Sequence, residues 1–581
     1  MGAMFAFLSS TPRETADPMV SVKSAAAWLR QLPSLDVVAR QQLVLRAFDG
    51  MRQSRRPMDL ARAQALQYTD AALGADRRQL FRQYVESLET APKVSERIWL
   101  ASLELAQAFL VAYQGVLEEA LAPAAYGRWK PHVPILFARL IHYYGTDAKL
   151  RVCRHERWIP AKWLALHRAY TRATELGVDR IPTSLGASGG NGTQWTVEQE
   201  YVYVLLLHQL NSGNLSPANL EWAASQVRGF GRKLELVALP KTMEGFFVDL
   251  AGRVGLARRT GQDAGAMLRY LDTTPLANQL DMSLAALRHS EETDQGPVGP
   301  INQQRAMILE KARAAIAPNL NTDMRRDPRT PCVVAARVRV GIARIQHELS
   351  KPQKAASGGD DASIDGAMPD TTTNEEIEVY AVAGPPRTRP RVVDETDTLS
   401  SSLATFSDPL WQVKDRSLAG LRICAGGGVG QTLMLGALVG VRQSDAGEWV
   451  LGVVRRLNKA SNEDVEAGVS LIAERVVAVT LYAKREVKQE LGIVVNGLDA
   501  SMMGPRFEGL YLPPPSRPDK PLVVKTLIVP THEYAEGRKV ILMTGRSIYT
   551  VALRQLVEQR ADWSWAAIQI VEKQSRAGTD T

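Results

Sequence analysis

The amino-acid sequence predicts a multidomain α+β protein, in which an N-terminal all-α helical region precedes a β-barrel and a second C-terminal β-rich unit. The chain has 581 residues, too many for a single hydrophobic core. Apolar side chains recur at helical spacing up to about residue 317, and short alternating strands separated by turns follow. Hydrophobic residues make up 45% and charged residues 23%, values typical of a globular protein, so global disorder is excluded.

The first half of the chain is expected to be a flexible tail, residues 1–20, and a helical domain, residues 21–317. Apolar residues keep helical spacing in the segments 97–113, 161–170, 200–208 and 217–227. Ser216 precedes Pro217, a combination typical of a helix cap and first turn. A Gly- and Ser-rich loop is predicted over 182–193. Stacked helical hairpins, as in a tetratricopeptide-like array, and an irregular helical bundle both agree with this pattern.

A barrel is predicted over residues 320–480. The strand patterns are at 333–340, 418–423, 435–441, 449–454 and 468–472, with turn residues between them. Residues 351–402 interrupt this series with a segment poor in large apolar side chains, and we predict a disordered acidic insertion because such a segment buries too little surface to offset its ordering entropy. Its acidic residues between 360 and 378 are uninterrupted by Lys or Arg: Asp360, Asp361, Asp365, Asp370, Glu375, Glu376 and Glu378.

The last predicted domain is a β-rich unit over residues 485–572. Its strand patterns lie at 522–530, 539–543 and 548–553, after a proline-rich stretch at 513–518. The C-terminal half therefore contains one or two barrels.

Two short motifs flank the acidic insertion. Arg325 and Arg329 form an RxxxR arrangement just before the first predicted strand, and Asp415, Ser417 and Gly420 form DxSxxG. Arginine can bond bidentately to phosphate oxygens or to the O6/N7 edge of guanine, and lysine lacks that planar fork. Asp415 and Ser417 are two apart, so in an extended chain they share a face, with Arg416 on the other. The glycine allows close backbone approach.

These motifs, in this order and before strands, resemble those of the PilZ family of cyclic di-GMP receptors. The resemblance covers about 320–480 and implies a six-residue ligand set, no enzymatic activity, no cofactor beside the ligand, and a role in motility, adhesion or biofilm control. One departure from the family is that 85 residues separate Arg329 from Asp415, although loop-closure entropy grows slowly with length. The implied cyclic di-GMP ligands are Arg325, Arg326, Arg329, Asp415, Ser417 and Gly420.

The expected partners are cyclic di-GMP and a protein bound through the helical region. The net charge of +8 and the pI of about 9.3 favour anionic partners. Two alternatives remain: a degenerate PilZ scaffold that binds no ligand, and, less favoured, a nucleic-acid-binding protein, since basic runs interleaved with aromatic residues are missing from the sequence.

Other residue patterns argue against catalysis, metal binding and secretion. The stretch 425–432 has Ala425 and Gln431 where a Walker A loop has glycine and lysine. The three cysteines, Cys153, Cys332 and Cys424, are far apart, so neither a disulfide framework nor a zinc site is expected. We find neither a secretory signal nor an apolar run of about 20 residues, and we therefore expect a cytoplasmic protein without a membrane span.

Overall fold

The computed structural model describes most of the chain. The described residues are 17–33, 36–54, 56–185, 194–210, 213–240, 242, 244–259, 265–293, 299–317, 329–350, 411–426, 429, 433–443, 448–460, 464–484, 503–513, 525–543 and 547–575. They divide into two compact units. One contains the described residues up to Ala286 and from Ile308 to 317, and the other contains the described residues of Leu287–Met307 and from Arg329 onwards. The acidic insertion and residues 1–16 of the predicted tail lie outside the described residues, whereas Pro18–Val20, at the end of that predicted tail, form a 3₁₀ helix in which Met19 is buried.

Helices dominate the first part of the chain, as predicted. Asp36 caps the second helix by accepting from the Val38 and Ala39 N–H groups at 3.0 Å, and Ser216 caps the tenth, with Pro217 in its first turn. The helices are α1 Val22–Leu29, α2 Val37–Gln53, α3 Leu60–Ala72, α4 Gly74–Ser87, α5 Pro92–Ala120, α6 Tyr126–Trp129, α7 Val133–Cys153, α8 Pro160–Glu175, α9 Val197–Leu210, α10 Pro217–Phe230, α11 Thr274–Thr293 and α12 Gly299–Ile316.

An ionic cluster holds α3, α4, α5 and α7 together around the buried Asp70. The Tyr113 and Tyr143 hydroxyls donate to its carboxylate at 2.9 and 2.5 Å, Arg77 lies 2.9 Å away, and Arg139 also donates to it. Burial alone would raise the pKa of Asp70, but Arg139 and Arg77 hold this pKa well below its usual range. The carboxylate is thus charged at all ordinary pH values, and it compensates two largely buried guanidinium groups.

Among the described residues, one helix, α5, is long and apolar enough by length and composition to cross a membrane, in contrast to the sequence prediction of no such segment. It is built as a core helix: the Phe109 ring stacks on Tyr143 of α7, with centroids 4.7 Å apart, and meets Phe48 of α2 edge-on at 4.8 Å. Half of its most apolar stretch is buried inside the fold. Such burial is typical of the central helix of a helical bundle.

Two small sheets in the helical region were not predicted. The first pairs β1 Thr183–Ser184, which lies within the loop predicted over 182–193, with β2 Gln194–Trp195, which follows that loop. The second has the order β3-β6-β4-β5. These strands have two to four residues, too few to show an alternating pattern in the sequence. Their bounds are β3 Leu236–Val237, β4 Phe246–Asp249, β5 Ala257–Arg258 and β6 Leu268–Leu271.

A closed six-stranded antiparallel barrel follows, with the ring order β10-β11-β12-β9-β8-β7. Inward side chains such as Val413, Ile423 and Val469 form its core. The predicted strand at 418–423 was partly wrong, because Leu418 and Ala419 form the turn before β9. The elements are β7 Thr330–Val340, α13 Ile342–Leu349, β8 Trp411–Ser417, β9 Gly420–Ala425, β10 Leu438–Gln443, β11 Trp449–Lys459 and β12 Val465–Ala473.

The last six strands close a second antiparallel barrel, with the ring order β13-β14-β15-β18-β17-β16. Numbered by their rank within each barrel, the strands of both barrels have the same neighbours: 1-2-3-6-5-4, closed between 4 and 1. The predicted C-terminal β-rich unit is therefore a barrel of the same topology as the first. Its strands are β13 Val477–Lys484, β14 Met503–Leu512, β15 Thr526–Pro530, β16 Lys539–Met543, β17 Ser547–Gln559 and β18 Trp563–Ser575.

The two barrels belong to one compact unit and share a buried apolar cluster. Helix α13 packs into it, and the Gln346 side chain donates to the Val479 carbonyl at 3.1 Å. The cluster joins Ile342, Ile345, Leu438, Leu451 and Val453 of the first barrel to Leu510, Leu512, Ile528 and Trp563 of the second.

Candidate functional site

The DxSxxG motif forms the tight hairpin that joins β8 to β9. Ser417 pairs with Gly420 across a two-residue turn, and the Ser417 hydroxyl lies 3.5 Å from the Gly420 carbonyl. A Cβ atom on Gly420 would come within 2.8 Å of the Val469 carbonyl oxygen on β12. The glycine is therefore required by the close approach of a neighbouring strand.

A β-bulge turns Asp415 to the outside of the barrel. Val413 pairs with Ile423, but Asp415 pairs with Arg422, so Lys414 is an extra residue on β8. In a strand without the bulge Asp415, two residues after Val413, would point inward like Val413, because side chains alternate along a strand. The bulge therefore places Asp415 on the outer face beside Arg422. Asp415 and Ser417 share that face, with no bulge between them.

Arg329 meets Asp415 despite the 85 residues that separate them. Pairing of β7 with β8 sets Pro331 opposite Asp415, and Arg329 immediately precedes β7. The Arg329 Nη1 atom donates to Asp415 Oδ1 at 2.9 Å. The long connection between β7 and β8 thus leaves the end of the RxxxR motif next to the DxSxxG motif.

A second arginine, Arg422, which the motifs did not predict, also contacts Asp415. The Arg422 Nε atom lies 2.6 Å from Asp415 Oδ2 without hydrogen-bond geometry, so this contact is an ion pair, and Arg422 Nη1 lies 3.6 Å from Glu466 Oε1. The Asp415 side chain is about 10% exposed, whereas those of Arg329 and Arg422 are 35% and 40% exposed. The carboxylate is thus covered by two guanidinium groups that still present N–H donors to solvent.

This face combines charge with exposed apolar side chains. Leu418, at the tip of the hairpin, is 63% exposed, and Val333, on β7, is 72% exposed. Burial, together with the charge of Glu466, raises the pKa of the Cys424 thiol on β9, so the thiol is neutral at physiological pH and adds no negative charge. Forked cationic donors beside a carboxylate acceptor and apolar surface suit a ligand with phosphate groups and planar bases.

The remaining predicted site residues differ in where they lie. Arg325 and Arg326 are outside the described residues, and Arg416 is exposed on β8. Ala425, the first residue of the Walker-like stretch, is buried in the barrel core. Within the described ranges, we find no group of three or more His, Cys, Asp or Glu side chains arranged to hold a metal ion.

A comparison with protein families identifies a relative of the helical region. Residues 23–241 match the family described as the N-terminal domain of the cyclic-di-GMP receptor FimW. The match covers less than half of the chain and does not include the barrels. Among curated proteins the comparison found no match. The helical region is therefore similar to a domain of a cyclic di-GMP receptor family, in agreement with the ligand class that the barrel motifs predict.

Proposed function

We propose that this chain is a cytoplasmic, non-enzymatic cyclic di-GMP receptor of the PilZ type, and that the outer face of β8 and β9 in the first barrel binds the nucleotide. The observation that carries the proposal is the contact of Arg329 and Arg422 with Asp415. It joins the two motifs on one face, and the family match of the helical region supports the same ligand independently.

The charges suggest how the ligand is held. Cyclic di-GMP has two phosphates and two guanines, and Arg329 and Arg422 offer their free N–H groups to phosphate oxygens or to the O6/N7 edge of guanine. The Asp415 carboxylate and Ser417 hydroxyl accept from guanine N–H groups. In the free protein, Asp415 keeps the two arginines in place, so less side-chain entropy is lost when the ligand binds.

The position of Arg329 also suggests how binding is relayed. Arg329 lies between α12, which ends at Ile316, and β7, which begins at Thr330. A ligand that binds Arg325, Arg326 and Arg329 would therefore contact the segment that joins the helical region to the barrel in sequence. In this proposal the helical region passes the signal to a protein partner in motility, adhesion or biofilm control.

Substitutions within the two motifs test the proposal. Arg329→Ala removes charge-assisted hydrogen bonds worth about 1.5–3 kcal/mol each, so we expect cyclic di-GMP affinity to fall roughly ten- to hundredfold. Ser417→Ala should weaken binding less. Arg416→Ala is the matched control, since it removes the same charge from an exposed position on β8, between Asp415 and Ser417.

Calorimetric titration of the four proteins decides between the alternatives. Equal affinity of wild type, Arg329→Ala and Ser417→Ala, with all three folded, would place the ligand elsewhere. Failure of all four proteins to bind would favour the non-binding scaffold.

A further inference from the structure

The shared strand order allows the two barrels to be compared residue by residue. In the first barrel, strand 1 begins at Thr330 opposite Arg416, the last residue but one of strand 2. In the second, strand 1 begins at Val477 opposite Tyr511, again the last but one of strand 2. The final pairs of strands 2 and 3 also correspond, since Ser417 with Gly420 matches Leu512 with Thr526. The pairing of strands 1 and 2 and the pairing of strands 2 and 3 therefore give the same residue alignment of the two barrels.

This alignment shows what stands in the second barrel where the first has its charged face. The pair Asp415 and Arg422 corresponds to the pair Leu510 and Ile528. Glu466, on strand 6 of the first barrel, corresponds to Trp563, because strands 3 and 6 are paired in the same register in both. Three charged positions of the proposed nucleotide face are therefore apolar in the second barrel.

These apolar residues form the contact with the first barrel. Leu510, Ile528 and Trp563 have no exposed surface and belong to the cluster shared by both barrels, not to the second barrel's own core. The Trp563 indole N–H donates to the Gly436 carbonyl of the first barrel at 3.1 Å. The face equivalent to the nucleotide face is thus already occupied within the same chain.

The contact leaves the charged face of the first barrel accessible. On the first barrel the cluster uses Leu438 of β10 and Leu451 and Val453 of β11. In the ring of six strands, β10 lies three places from β9 and β11 three places from β8, on the opposite side. The face of the second barrel that corresponds to the nucleotide face therefore packs on the opposite side of the first barrel. Because the two barrels use different faces, this is a heterologous contact, and it leaves the charged face of the first barrel open.

We propose that the second barrel is a fixed internal partner of the first and not a second receptor, so that each chain presents one nucleotide-binding face. The nucleotide half of this inference rests on the proposed function, whereas the docking half rests on packing alone. The charged face of the first barrel also disfavours the same apolar contact with a further copy, since Arg329 and Arg422, which are 35% and 40% exposed, would lose their contact with water on burial.

The docking half can be tested by trypsin cleavage at Arg475, an exposed residue in the short connection between β12 and β13. Leu510→Asp places a carboxylate in the inter-barrel cluster and should accelerate this cleavage at least tenfold, while the far-ultraviolet circular dichroism of the barrels persists. Val571→Asp, at a position 45% exposed on β18, is the control and should leave cleavage unchanged. Trp563→Phe, a milder change, should accelerate cleavage in the same direction if Leu510→Asp does not fold. Equal cleavage of Trp563→Phe, Leu510→Asp and the control would overturn the docking.

The nucleotide half is tested by titrating the Arg329→Ala/Asp415→Ala double variant with cyclic di-GMP. Saturable binding by wild type and none by the double variant is the expected result. Two sets of saturable sites in wild type, one of which persists in the variant, would overturn the inference by revealing a second site, whereas unchanged binding by the variant would contradict the proposed function. If wild type itself does not bind, the proposed function fails, but the cleavage experiment still decides the docking.

Discussion

Among the described residues, Glu558 of the second barrel forms an ion pair with the first barrel. Its carboxylate accepts hydrogen bonds from both Arg455 Nη atoms, at 2.7 and 2.6 Å, and from Arg560 Nε and Nη2, at 2.9 and 2.6 Å. Arg455 lies on β11 of the first barrel, whereas Glu558 is the last residue but one of β17 in the second. Replacing Glu558 with Gln keeps the shape of the side chain and removes the charge.

The exposure of the two side chains sets the expected loss of stability on Glu558→Gln. The Glu558 side chain is 12% exposed, but Arg455 is 40% exposed, so water screens part of the interaction. Exposed ion pairs contribute about 0.2–1 kcal/mol, and breaking a fully buried pair costs about 3–5 kcal/mol. We therefore expect Glu558→Gln to destabilise the barrel unit by about 1–2 kcal/mol at neutral pH.

The same contact predicts a pH dependence. Burial would raise the pKa of the Glu558 carboxyl, but the hydrogen bonds and charge of Arg455, together with Arg560, hold this pKa below its ordinary value. A lowered pKa stabilises the fold above the unfolded carboxyl's pKa of about 4.3, and the stabilisation is lost as the pH falls through the folded value. The difference between wild type and Glu558→Gln should therefore shrink below about pH 4.

Hydrogen exchange of β11 and β17 peptides in a urea series measures this free energy without interference from the helical region. Glu572→Gln, which neutralises an exposed carboxylate of β18, is the control and should change the exchange little. If Glu558→Gln matches wild type at pH 7, or if its deficit grows as the pH falls, the ion pair does not stabilise the contact and the reasoning is refuted.

Two further substitutions test other parts of the structure. Gly420→Ala should destabilise the first barrel by about 1–3 kcal/mol and weaken cyclic di-GMP binding, because its methyl group meets the Val469 carbonyl. The control Gly115→Ala on α5, where the added Cβ meets nothing within 4 Å, should stabilise the protein by about 0.5–1 kcal/mol. Equal thermal melting temperatures for the two variants would contradict this prediction. Asp70→Asn leaves Arg77 and Arg139 buried without a counter-charge and should destabilise the helical region by about 3 kcal/mol or more, so an unchanged urea midpoint for α3 and α7 would show that the cluster is not structural.

The sequence predicted the order of helical region, barrel and β-rich unit because apolar spacing distinguishes helices from strands. The segment 539–543 was predicted as a strand and is β16. The turn at Leu418 and Ala419 was missed because both residues continue an apolar pattern, while strands of two residues such as β3 carry too little pattern to be recognised.

The site could be predicted only in part. The motifs identify Arg329 and Asp415, but the pairing of Asp415 with Arg422 depends on the bulge at Lys414, which local sequence does not reveal. The face of the second barrel that packs on the first could not be predicted either. Leu510 and Ile528 lie in strands buried on both faces, and a continuous apolar run does not distinguish residues of a barrel's core from residues that contact a neighbour.

Titration of the wild-type protein with cyclic di-GMP by calorimetry, with GTP and linear pGpG as competitors, tests the central claim most directly. The account predicts saturable binding of cyclic di-GMP, with strong preference over both competitors, because one face presents Arg329, Asp415 and Arg422 together. Absence of saturable binding by the folded protein at cellular nucleotide concentrations would contradict it.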